Sequence, residues 1–251
     1  MLRQPRPLVP FTLGRGVPAP YWRRVLNTQP GALVGYWRLN ETSGSTIADA
    51  GANGFNGTYT GVTLNDTTFL DGEPAPRFTS SSSYGSLYSS AFGALYDTAA
   101  DFDEGSMMAW IKVDSARWTD GQARVIVGLG NSSNSKVYLY KSASNNRLDA
   151  GTYSYGAGGY HGAYFGTSST DWLHLLMTWS KANSYVRIYV NGTAGTQYSG
   201  SLPTFAGGLT NSYARISVVD PNPHIGNIKH VALWNQPITS SDDITNLATA
   251  A

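Results

Sequence analysis

Hydrophobic and polar positions alternate along most of this chain with the two-residue period of β-strands. The pattern is densest between Asp171 and Gly192, DWLHLLMTWSKANSYVRIYVNG. Trp172 to Trp179 is apolar or aromatic at nearly every position, as in a strand buried on both faces. Ser180 to Ser184 is a polar turn. Tyr185 to Asn191 then sets Val186, Ile188 and Val190 on one face and Tyr185, Arg187 and Tyr189 on the other. Asn191-Gly192 supplies the two positive-φ positions of a tight hairpin. The stretch predicts a three-stranded antiparallel meander with Trp172 and Trp179 in the core. His174, inside the first of these strands, reads as a hydrogen-bonded core histidine.

Further strands are predicted at 32–39 (ALVGYWRL), 106–113 (SMMAWIKV), 125–129, 136–141 and 215–219, with a rigid turn at Asp220-Pro221-Asn222-Pro223. Two short helices bracket them. In PYWRRVLN a proline opens the helix, and Tyr21/Val25 and Trp22/Leu26 pair at i,i+4. Near the end Ser240 caps a helix whose first turn holds Asp242 and Asp243. Prolines at 5, 7, 10, 18 and 20 make the first twenty residues an extended arm, basic through Arg3, Arg6 and Arg15. The expected organisation is an arm with a short helix over residues 1–31, then one all-β domain over 32–251.

Composition narrows the class. Of the 251 residues only 13% are charged, while 28 are Gly and 16 Tyr, which suits short strands and tight turns. A net charge of +1 gives no field to attract nucleic acid or an anionic membrane, and no apolar run approaches a membrane span. With no cysteine there are no disulfides or thiolate ligands. The early prolines break any apolar run before it reaches secretory-signal length, so export is not expected.

Four stretches carry a family resemblance. GYWRLNETSGSTIADAGANGFNGTYTG, SMMAWIKV, WLHLLMTWSK…VRIYVNG and IGNIKHVALWNQPITSSDDITNLA occur in the order found in laminin-G-like, concanavalin A-like domains. The resemblance covers roughly residues 33 to 248. It implies a two-sheet antiparallel jelly-roll sandwich, a fold that hosts lectins, glycan-cleaving enzymes and structural modules alike. It also implies a structural calcium near the Ala48-Asp49…Asn53-Gly54 loop, with Asp49 and Asn53 as ligands. The family's last strand typically has an acidic pair after Gly-x-Ile, however. Here Lys229 and His230 stand there, and an ammonium beside the ion would repel it. Asp49 also reads as a side chain capping its own turn.

Catalytic signals are weak. No Glu-x-Asp-x-Glu run offers the paired carboxylates of glycoside cleavage, and Asp101/Asp103/Glu104 precede a strand in a turn-like context. His161, His174, His224 and His230 lack metal-ligand spacing. The chain therefore reads as non-enzymatic. Sugar binding has better material. Tyr153, Tyr155, Tyr160, His161 and Tyr164 lie in a glycine-rich stretch, with Trp118 as a second exposed candidate; flat rings pack on sugar C–H faces. The competing reading is a β-hairpin whose tyrosines pack on a neighbouring subunit or on the sandwich.

Two functions stay open. One is a structural and adhesive component of a phage-like particle (a capsid decoration, tail or fibre protein), made in the host cytoplasm. Its arm, through Leu8, Val9, Phe11, Leu13 and Arg15, would dock on other virion subunits or on a copy of itself. PYWRRVLNTQPGALVGYWRLNE resembles the lead-in to this domain in phage virion proteins. The other is a lectin-like carbohydrate-binding module of an extracellular protein, with a cell-surface glycan as partner.

Overall fold

The structure is a computed structural model that describes residues 19–132, 135–154, 159–205, 207–217, 222 and 224–250. The arm residues Leu8, Val9, Phe11, Leu13 and Arg15, together with Tyr155, lie outside the described residues. In chain order come helix α1 (Tyr21–Asn27) and strands β1 (Leu33–Trp37), β2 (Thr46–Ile47), β3 (Gly57–Thr60), β4 (Thr63–Thr68), β5 (Pro74–Phe78) and β6 (Tyr84–Ser86). A one-turn helix α2 (Ser90–Gly93) leads into β7 (Glu104–Val113), β8 (Arg124–Ser132), β9 (Ser135–Lys141), β10 (Arg147–Ser154) and β11 (Gly159–Gly166). Then follow β12 (Leu173–Ser180), β13 (Tyr185–Val190), β14 (Thr193–Ser199), β15 (Arg215–Ile216), β16 (Gly226–Trp234) and helix α3 (Ser241–Leu247).

The strands form two antiparallel sheets. The first runs β14-β13-β12-β7-β16-β5-β4, with β1 also paired to β16; the second runs β11-β10-β9-β8-β15-β6-β3-β2. The meander around Trp179 is the β12-β13-β14 half of the first sheet, turned at Asn191 (φ 49°) and Gly192 (φ 77°). Between the sheets lies the main core, where Met107, Ile111, Leu175, Met177, Trp179 and Ile188 meet Ile126, Leu129, Val137, Leu139 and Leu148.

A second apolar layer explains why β12 and β16 are buried at every position. On the outer face of the first sheet, Met108, Trp110, Leu176, Ala232 and Trp234 are covered by α1 and α3 through Tyr21, Val25, Ile244 and Leu247. The Tyr21 hydroxyl donates to Leu247 O (2.8 Å) and accepts from Trp110 Nε1 (2.7 Å). This corrects the expected boundary at residue 31/32. Helix α1 docks on the sandwich because its i,i+4 pair puts Tyr21 and Val25 on one apolar face. His174 also differs from expectation. It is fully buried on that outer side, yet neither ring nitrogen has a hydrogen-bond partner among the described residues. Burial holds it neutral, with its pKa lowered to about 3.

Candidate functional site

The outer face of the second sheet carries the chain's aromatic surface. In β9, Val137 and Leu139 enter the core, so Lys136, Tyr138 and Tyr140 face outward. In β10, Leu148 and Ala150 enter the core, which turns Arg147, Asp149, Gly151 and Tyr153 outward. In β11, Ala163 enters the core, and Tyr160, Gly162 and Tyr164 face outward. Register then sets Tyr153 directly opposite Tyr160 on one side and Lys136 on the other. The next row across the sheet reads Gly162, Gly151, Tyr138, Gly128 and Arg215.

The rings form one group. Tyr138 and Tyr140 lie 4.8 Å apart between centroids, and Tyr140 meets Tyr160 at 6.0 Å with an interplanar angle of 84°. Asp149, almost sealed from solvent, holds Arg147 through its Nε (2.9 Å) and Nη2 and accepts from the Tyr160 hydroxyl at 3.3 Å. Burial and the nearby Asp149 carboxylate push the Tyr140 phenol well above its ordinary pKa. The same environment, with Tyr140 itself, raises that of Tyr160. Both hydroxyls thus stay protonated, able to donate and to accept. The Arg147 guanidinium stacks 4.3 Å over Tyr164, and the Lys136 ammonium lies 5.1 Å over Tyr138.

Of the residues singled out in the sequence, Tyr153, Tyr160 and Tyr164 share this face. His161 does not. One position out of phase, it points to the inner side of β11, where it meets Tyr198 at 5.0 Å. Trp118 is not exposed either: at 2% exposure its indole packs into the main core and donates to Ser169 O (3.0 Å). A 3-10 turn at Ser115–Arg117 folds it back over the end of the sandwich. Tyr138, Tyr140, Arg147 and Asp149 were missed, although the alternation in KVYLYK already puts Lys136, Tyr138 and Tyr140 on one side.

The Asp49 loop does not fit a calcium ion. Asp49 Oδ1 accepts from Tyr36 N (2.9 Å) and Gly51 N (2.8 Å), and Oδ2 accepts from Phe55 N (2.8 Å). Three amide hydrogens therefore occupy the space a cation needs, and Asn53 uses its amide nitrogen to donate to Val34 O. A second cluster joins Asp71, Glu73 and His230, with ligand-type atoms within 4.8 Å of one another. Its negative charge is already met inside the protein. Lys229 Nζ lies 3.1 Å from Glu73, Arg38 pairs with the same carboxylate, and His230 Nε2 lies 2.9 Å from Asp71. His230 sits at a β-bulge with φ 51°, which aims its ring at Asp71 and at the Tyr36 hydroxyl (2.7 Å to Nδ1). This cluster ties β16 to the loop before β5.

Comparison with known proteins agrees with this architecture. Residues 87–242 match the family model described as concanavalin A-like lectin/glucanases superfamily. No curated protein matches the chain. Among solved structures, the receptor binding domain of botulinum neurotoxin C/D mosaic serotype aligns with a TM-score of 0.63 at 12% identity, over 87% of this chain and 51% of that one. Domain 4 of AbnA, an extracellular GH43 arabinanase from Geobacillus stearothermophilus solved with arabinotriose, aligns with 0.62 at 16% identity, over 87% and 98%. Trypanosoma rangeli sialidase aligns with 0.58 at 15% identity, over 87% of this chain and 32% of that one. The chain thus spans about half of the neurotoxin domain and a third of the sialidase, and such identities speak for fold alone. With the family model covering more than half of its length, this chain belongs to the concanavalin A-like lectin/glucanase superfamily.

Proposed function

We propose that this lectin-like jelly-roll domain binds carbohydrate, without cleaving it, on the tyrosine face of its second sheet. The observation that carries the reading is the assembly of Tyr138, Tyr140, Tyr153 and Tyr160 on adjacent strands around the Arg147–Asp149 pair. Aromatic rings take sugar C–H faces, while phenols and the Arg147 guanidinium take hydroxyls. Cleavage is disfavoured by the same geometry. Hydrolysis needs two working carboxylates roughly 5–10 Å apart, and Asp149 is buried and engaged by Arg147. The AbnA domain solved with arabinotriose makes that sugar a sensible first probe. Saturation-transfer NMR against a panel of mono- and oligosaccharides tests the reading. Transfer that is lost in Tyr138→Ala/Tyr153→Ala supports it, and absence of transfer to every saccharide refutes it.

The setting we propose is a phage-like particle, with the domain as an adhesive decoration, tail or fibre component. One structural observation favours this over a free module. Helix α1 brings residue 19 to the outer face of the first sheet, while the tyrosines occupy the outer face of the second. A partner held through the N-terminal arm would leave the tyrosine face open. Mass spectrometry of purified particles checks the setting.

A further inference from the structure

Resting on the carbohydrate reading, we infer that the tyrosine face takes a neutral saccharide, stacked on Tyr160 as a floor with Tyr140 as a wall. The floor is built from glycine. Gly162 and Gly151 face each other in the β10–β11 ladder, and a Cβ on either would run into the Tyr160 ring. The ring therefore lies directly on the backbone of its own sheet and stays partly exposed. Tyr140 meets it at 84°, so that ring stands upright beside it. A floor and a wall of this kind accept a sugar ring with one C–H face down and its hydroxyls directed sideways. The hydroxyls then meet the Tyr140 and Tyr160 phenols and the Arg147 guanidinium at the rim.

Neutrality follows from where the charges are spent. Arg147 is bound to Asp149 and stacked on Tyr164. Lys136 lies over the Tyr138 ring. Farther along the row, Arg215 lies 3.9 Å over Tyr84 and donates to Asn211 O at 2.5 Å. Each cation on or beside the face already has a carboxylate, a carbonyl or a ring. A sulfate or uronate seated on Tyr160 would lie close to the Asp149 carboxylate and would have to draw Arg147 away from it to gain a partner. A neutral sugar breaks none of these contacts.

The test is a glycan array of neutral and acidic oligosaccharides probed with the full chain, followed by titration of the best ligand at low and high salt. The expected ligands are neutral, with affinity changing by less than roughly twofold between about 0.05 and 0.5 M salt. Tyr160→Ala should weaken binding by roughly tenfold, while Tyr160→Phe, which keeps the stacking face, should lose much less. Thermal melts confirm that both variants fold. Binding confined to acidic glycans, weakening steeply with salt, overturns the neutral assignment and leaves the carbohydrate reading standing. Binding to neutral glycans that is indifferent to Tyr160→Ala overturns the floor. No binding to any glycan overturns the carbohydrate reading itself.

Discussion

At the scale of single residues, the histidines make the sharpest forecast. His174, His224 and His230 are buried, and burial lowers their pKa values from 6.5 to about 3, 3 and 4. In the unfolded chain each titrates near the ordinary value. Below about pH 6.5 the unfolded state therefore binds protons that the folded state refuses. Their contribution to stability is full above that pH and falls, by about 1.4 kcal/mol per pH unit for each histidine, until the folded values are reached. The melting temperature should fall steadily from pH 6.5 towards pH 4, and less steeply in His174→Leu. An unchanged slope in that variant would remove His174 from the account. Its position on a doubly buried strand was legible in the apolar run from Trp172 to Trp179. Its lack of a partner was not, because that depends on Trp110 and on side chains far away in sequence, which pack against it.

At the scale of elements, alternation predicts strands well and faces poorly. The Leu148–Phe165 stretch carries four tyrosines, and only pairing decides which of them meet. Once β10 and β11 form a hairpin, Tyr153, Tyr160 and Tyr164 turn outward while His161, one residue out of phase, turns in. Trp118 shows the reverse error, since its polar neighbours suggested exposure while a 3-10 turn buries it. The Asp49 loop carries a testable consequence. Its carboxylate collects three backbone N–H groups that join β1 to the loop, so Asp49→Ala should cost about 3 kcal/mol and lower the melting temperature. Melts in millimolar calcium and in chelator should coincide for the wild type. A calcium-dependent rise that vanishes in Asp49→Ala would instead make this residue a ligand.

At the scale of the molecule, the two-sheet sandwich and the family were readable from four short motifs, but the extent of the domain was not. The prolines and arginines ahead of residue 31 mark a break in composition, and the fold begins before that break ends. Helix α1 contributes buried Tyr21 and Val25, and the main chain just beyond it accepts from the Trp234 indole through Thr28 O (2.8 Å). Deleting residues 1–28 would uncover Phe69, Trp110 and Met108 on the outer face of the first sheet. It would also leave two indole N–H groups without their acceptors. Burial of the two side chains and the lost hydrogen bonds together correspond to at least about 4 kcal/mol, or roughly 10 °C in melting temperature for a domain of this size. Differential scanning calorimetry of the full chain and of a chain starting at residue 29 measures this directly. Hydrogen exchange should quicken at the same time in α3, because Leu247 O loses the Tyr21 hydroxyl. Equal melting temperatures would mean that α1 only rests on the sheet, and that the domain starts at β1.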